Sequence, residues 1–106
     1  MYSLDPIYQL LTSQAQIHAN LYLAHAVGMN ETLIFNVLIA KSTWYINNGM
    51  SEDGWFYCTV PDLQASTTFG IKTQRSAIKH LVEEGLIEYK VAGLPQKRFF
   101  RIINDN

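Results

Sequence analysis

Apolar residues recur at helical spacing through the first half of this chain and at strand spacing near its end. Leu4, Ile7, Tyr8 and Leu11 fall on one helical face, and Asp5-Pro6 suits the start of that helix. The stretch SQAQIHANLYLAHAVG keeps the period through Ile17, Leu21, Ala24 and Val27, and Gly28 provides a stop. Asn30 is the expected cap of the next helix, ETLIFNVLIAKSTWYINN, with Glu31 in its first turn. Leu33, Ile34, Phe35, Val37, Leu38, Ile39, Trp44 and Tyr45 surround that helix almost completely, which predicts the central, buried helix of the fold. The turn formers and two acids of NNGMSEDG then make a loop.

WFYC reads as a short aromatic strand. Thr59 and Asp62 have the spacing of a capping box, with Pro61 in the first turn and Leu63 facing inward, and STTFG ends the helix they start. From residue 71 to 84 the period is helical again, with Ile71, Ile78, Leu81 and Val82 on the inner face and Gln74 and Ala77 at its margin. Gly85 stops this helix, and LIEYKVA and KRFFRII flank a Gly-Leu-Pro-Gln turn as a β-hairpin.

Three strands this short do not make an independent sheet, so they must pack against the helices. Two helices separated by a few residues form a helix-turn-helix, and a strand before them with a hairpin after them completes a winged helix. The expected fold is therefore α+β and mostly helical: a winged helix-turn-helix with extra N-terminal helices and a C-terminal β-hairpin wing. Residues 1–28 form the helical extension, 29–104 the winged-helix domain, and 105–106 a tail or the start of a linker. The apolar residues of the extension, Leu4, Ile7, Leu10, Leu11, Ile17, Leu21 and Leu23, need cover, which predicts a homodimer.

Composition narrows the class. With 106 residues, 48% apolar and 16% charged, the chain suits one folded domain with a modest core. The single cysteine, Cys58, excludes an internal disulfide and fits a reducing compartment. No stretch approaches the roughly 20 apolar residues of a membrane span, and Lys41 is the first cation, so no basic signal region precedes it. A cytoplasmic protein without a membrane partner is expected.

The net charge of −1 hides an asymmetry. Residues 72–101 hold seven cations (Lys72, Arg75, Lys79, Lys90, Lys97, Arg98, Arg101) against three acids, a net of +4. Residues 1–71 hold Lys41 against five acids, a net of −4. Such a division points to a polyanionic partner.

A step of about 100° per residue sets Lys72, Thr73, Ser76, Lys79, His80 and Glu83 opposite the apolar face, with Arg75 on the flank. These residue types reach phosphates and base edges from a helix in the major groove. The cations cluster in the first two turns, the end that enters the groove in helix-turn-helix docking. Lys72, Arg75 and Lys79 are expected on phosphates, with Thr73 and Ser76 nearer the bases. In KRFFRII, alternation sets Lys97, Phe99 and Arg101 on one side and Arg98, Phe100 and Ile102 on the other. Lys97 and Arg98 are expected to reach an adjacent groove or the backbone. The plainer alternatives are a solvated helix face, and a wing in which Phe100 and Ile102 join the core while Phe99 covers the hairpin against Tyr89.

Other chemistry is weakly encoded. His18 and His25 have no cysteine or carboxylate at ligand spacing, so no metal site is expected. Cys58 lacks a cationic neighbour in sequence and reads as a small buried hydrophobe. Glu52-Asp53 reads as a solvated loop, and Trp44, Tyr45, Trp55, Phe56 and Tyr57 as core or subunit contact. No phosphate-binding glycine loop or nucleophile elbow occurs, which predicts a protein with no catalytic activity and no cofactor.

The segment DLQASTTFGIKTQRSAIKHLVEEGLIEYKVAGLPQKRFFRI resembles the winged-helix domain at the N-terminus of phage and mobile-element replication proteins. Replisome organisers and DnaD-like primosomal proteins belong to that group. The pattern carrying the resemblance is a short helix, a turn, K-T-x-x-x-A-I-K-x-L-x-E-x-G-L-I and a wing. Upstream, AHAVGMNETLIFNVLIAKSTWYINN is similar to the segment where a Gly-x-Asn-Glu turn opens the first core helix. The resemblance covers roughly residues 21–103. It implies double-stranded DNA binding in replication initiation of a phage, plasmid or mobile element, with other replication proteins as partners. It also implies a C-terminal domain that these 106 residues do not include. The alternative is a protein-interaction or oligomerisation module, or a small transcriptional regulator, since many winged-helix regulators share the E-x-G-L-I element.

Overall fold

Gly28 breaks the N-terminal helical pattern in two. The computed structural model describes residues 21–103, with helix α1 at Leu21–Val27 and helix α2 at Met29–Asn47. Gly28 holds φ +106° between them, a left-handed value that favours glycine. Its N–H donates to the Ala24 carbonyl at 2.9 Å, and its own carbonyl accepts from the Thr32 N–H and hydroxyl. The cap of α2 is therefore Gly28 rather than Asn30, because the Thr32 bonds draw the helix start two residues back. The expected helix at residues 4–11 and the first half of the next lie outside the described residues.

Helix α2 is central, packing against α1, both later helices and the sheet. It buries Thr32, Ile34, Val37, Leu38 and Ser42 on one side. The expectation of all-round burial fails on the other, where Ile39 and Ile46 are exposed and Trp44 keeps 54% of its surface.

Strand β1 spans Trp55–Tyr57, and Cys58, expected within it, follows as a buried residue whose N–H donates to the Arg98 carbonyl. Burial raises the pKa of the Cys58 thiol. Helix α3 spans Val60–Thr67 and carries the expected capping box. The Asp62 N–H donates to Thr59 Oγ1 at 3.1 Å, and the Thr59 N–H to Asp62 Oδ2 at 3.4 Å. Thr67 ends it by donating to the Leu63 carbonyl while accepting from the Phe69 N–H. Helix α4 follows at Ile71–Glu83.

Strands β2 (Ile87–Ala92) and β3 (Lys97–Ile102) form the hairpin, and the antiparallel order β1-β3-β2 places β3 in the centre. Phe56 and Tyr89 flank Phe100 on the inner side, which closes the core with Ile34, Leu38, Leu63, Leu81 and Ile87. Tyr89 thus packs against Phe100, 5.3 Å between centroids with the rings tilted, and not against Phe99, which lies on the opposite face of the sheet. The architecture is a mostly helical α+β winged helix-turn-helix. Among the described residues, no helix is long and apolar enough to cross a membrane, and no group of three His, Cys, Asp or Glu side chains could hold a metal.

Candidate nucleic-acid interface

The inner face of α4 is Gln74, Ala77, Ile78 and Leu81. Ile71 and Val82, expected inside, are 42% and 40% exposed, so the helix is turned by about half a residue step from the position its apolar residues suggest. Gln74 accounts for the rotation. Its side chain is fully buried, and Nε2 donates to the Val60 carbonyl at 3.1 Å and the Phe69 carbonyl at 2.8 Å. Oε1 accepts from the guanidinium of Arg98 at 2.9 Å. One amide thus joins the start of α3, the turn between the helices and the centre of the sheet.

Arg98, expected at the DNA, therefore points inward. Its Nε donates to the Cys58 carbonyl at 3.2 Å, and the guanidinium lies 5.5 Å from the Phe100 ring centroid. Burial lowers its pKa, and the Arg75 charge acts in the same direction. The physical reason is strand alternation: Arg98 shares its side with Phe100, which the core claims.

The outward face carries the rest of the expected footprint. Lys72, Arg75, Ser76 and Lys79 are exposed and Thr73 is half-buried. None of these cations enters an ion pair with another described residue. Arg75 and Lys79 border an apolar groove of about 380 Å³ between α4 and the sheet, floored by Val60, Ile71, Ile78, Val82 and Tyr89. Lys72, Thr73 and Ser76 border a shallower recess of about 250 Å³ on the α2 side, closed by Asn30 and Glu31. Both rims follow from the rotation set by Gln74.

His80, also expected at the DNA, is held by an internal partner. Its Nδ1 lies 2.9 Å from Glu31 Oε2, tying α4 to the first turn of α2. That hydrogen bond raises the pKa of His80. Lys97 is exposed at the start of β3, 4.9 Å above the Tyr57 ring on the outer side of the sheet. The structure thus gathers Lys72, Thr73, Arg75, Ser76 and Lys79 on one helix, sets Lys97 on the wing, and assigns His80 and Arg98 to internal contacts.

The apolar pattern sets Gln74 at the margin of the inner face and does not single out Lys90 or Arg101. The signal for Gln74 was its place three, four and seven residues before Ala77, Ile78 and Leu81, the spacing of a single helical face. Arg101 donates to Glu88 from Nε at 2.7 Å, and its guanidinium lies 4.9 Å from the Trp55 centroid.

Fold and surface together define a winged helix-turn-helix with a cationic, outward-facing second helix. No protein-family model matches the chain, and no curated protein matches it. Solved structures share its fold. One, described as the N-terminal domain of a DNA binding protein, superposes with a TM-score of 0.63 at 15% identity, covering 98% of this chain and 84% of that one. Another, described as the structure of a Rep-DNA complex, gives a TM-score of 0.63 at 16% identity, covering 95% and 82%. At these identities the likeness is one of fold.

Proposed function

We propose that the protein binds double-stranded DNA through α4 and the wing, as part of replication initiation of a phage, plasmid or mobile element. The observation carrying this reading is the outward face of α4, where Lys72, Arg75 and Lys79 stand exposed and free of ion pairs with described residues. The shared fold with a structure described as a Rep-DNA complex supports it. Lys72, Arg75 and Lys79 bind phosphates, Thr73 and Ser76 approach base edges, and Lys97 reaches the flanking backbone. Arg98 and His80 act from within, holding α4 at its angle to the sheet and to α2. The function is one of binding, not catalysis, and is exercised in the cytoplasm. Exposed Leu21 and Tyr22 on α1 suit a homodimer contact through the N-terminal extension.

Four phosphate contacts give a slope of log K against log salt of about −3 to −4. Anisotropy titrations of a labelled duplex between about 50 and 200 mM salt measure it. Binding indifferent to salt, or unchanged in a Lys72→Ala/Arg75→Ala/Lys79→Ala variant, would overturn the reading. A winged helix serving only protein assembly would show no duplex binding at the low-salt end.

A further inference from the structure

The outer side of the sheet has a pattern of which the duplex footprint uses Lys97 alone. Register and alternation place Trp55, Tyr57, Lys90, Lys97, Phe99 and Arg101 on the side turned away from the helices. Tyr57 sits opposite Phe99, and Phe99 sits opposite Lys90 on its other flank. The Tyr57 and Phe99 ring centroids are 6.2 Å apart. Lys90 Nζ lies 4.1 Å from the Trp55 centroid and 6.0 Å from that of Phe99. Lys97 Nζ lies 4.9 Å from that of Tyr57. A concavity of about 500 Å³ opens over these rings, with Tyr45 and Met50 at its edge.

Aromatic rings interleaved with cations are what an unpaired nucleic-acid strand requires: flat π-faces for bases and ammonium groups for phosphates. A stacked base contributes more than the exposed ammonium it displaces from the ring, and the displaced lysine is left beside the phosphate. Neither Lys90 nor Lys97 pairs with an acid among the described residues. Arg101 is different, since it is held by Glu88 and by the Asp53 carbonyl. Glu52 and Asp53 border the concavity, so backbone phosphates are confined to the lysine side and the site is short. The lysines also argue against a second protein copy as occupant, because lysine is depleted in protein–protein interfaces.

We propose that this face binds a short stretch of single-stranded DNA, with bases stacked on Tyr57 and Phe99 and phosphates on Lys90 and Lys97. The choice of DNA over RNA rests on the duplex-DNA reading of α4, which places unpaired DNA strands beside the domain. The stacking site itself does not depend on that reading.

The test is anisotropy of the full chain with a labelled oligothymidylate of about 15 nucleotides at low salt. Tyr57→Leu/Phe99→Leu keeps the apolar cover and removes the π-faces, and it is expected to weaken single-strand binding about 10-fold or more. Lys90→Gln is expected to weaken it several-fold, and both variants to leave duplex binding unchanged while still unfolding as folded, cooperative domains. Conversely, Lys72→Ala/Arg75→Ala lowers duplex affinity and spares the single strand, so failure of either site is visible without the other. Single-strand binding that is absent, or insensitive to both sheet variants, overturns the proposal. So does tighter binding of oligouridylate, which would make the ligand RNA. A dimer in sedimentation velocity that Tyr57→Leu/Phe99→Leu dissociates would also overturn it, since the face would then belong to a second copy.

Discussion

The side-chain oxygen of Gln74 accepts a hydrogen bond from the Arg98 guanidinium at 2.9 Å, linking the second helix of the helix-turn-helix to the central strand of the wing. Gln74 leads from α4, Arg98 from β3, and both then reach backbone carbonyls near the ends of α3 and β1. No buried side-chain nitrogen or oxygen among the described residues lacks a partner. The angle at which α4 presents its cations is therefore set by a fully satisfied polar network inside an apolar core.

Breaking that network should cost stability. Gln74→Ala strands the guanidinium and two carbonyls, and a loss of about 2–3 kcal/mol is expected in urea denaturation. Arg98→Ala should cost a similar amount. In the double variant the two losses should fall short of additive by about 1 kcal/mol or more. Simple additivity would show that the two side chains do not act as a unit.

Cations outside and inside the fold should behave differently at the DNA. Lys72→Ala, Arg75→Ala and Lys79→Ala are each expected to reduce the salt slope of duplex binding by about 1. Arg98→Met should leave the slope unchanged while lowering the unfolding temperature, because the charge it removes meets Gln74 and Cys58 rather than phosphate. A slope that falls with Arg98→Met would place the guanidinium at the DNA after all.

The His80–Glu31 pair gives the fold a pH dependence of defined sign. Its hydrogen bond to Glu31 raises the pKa of His80 in the folded state. The stabilisation is thus fully present below the unfolded value of about 6.5 and is lost as pH rises through the folded pKa. An NMR titration should show His80 titrating above that unfolded value, and Glu31→Gln should bring it down. An unmoved titration in Glu31→Gln would mean that the pair does not form in solution.

Gly28 supports the same pair from the other side. A Cβ there would run into the Glu31 carboxylate, and φ +106° is strained for any L side chain. Gly28→Ala is expected to lower stability by about 1–3 kcal/mol and to shift the His80 titration as Glu31 is displaced. Calorimetry and the same NMR titration check both effects.

Local chemistry alone decided much of this protein. The Thr59–Asp62 capping box, the stops at Gly28 and Gly85 and the hairpin turn are all short-range bonds and backbone preferences, and they placed the elements and their order. Alternation in KRFFRII even separated Arg98 from Lys97, although it left open which side the core would take. Periodicity also gathered Lys72, Ser76 and Lys79 on one face with Arg75 on its flank, because the angle between residues on a helix is constant.

The rotation of α4 was a different matter. Counting apolar residues favours Ile71 and Val82 for the interior, since it treats glutamine as a surface residue. The structure buries Gln74 because its partners lie 5, 14 and 24 residues away and converge only when the turn, α3 and β3 are in place. For the same reason Arg98 and His80 left the expected footprint: their partners, Gln74 and Glu31, are brought within reach by packing alone. The sequence by itself determined which elements form and which residues share a face. Only the tertiary structure decided which face turns inward, because that depends on hydrogen-bond partners distant in the chain.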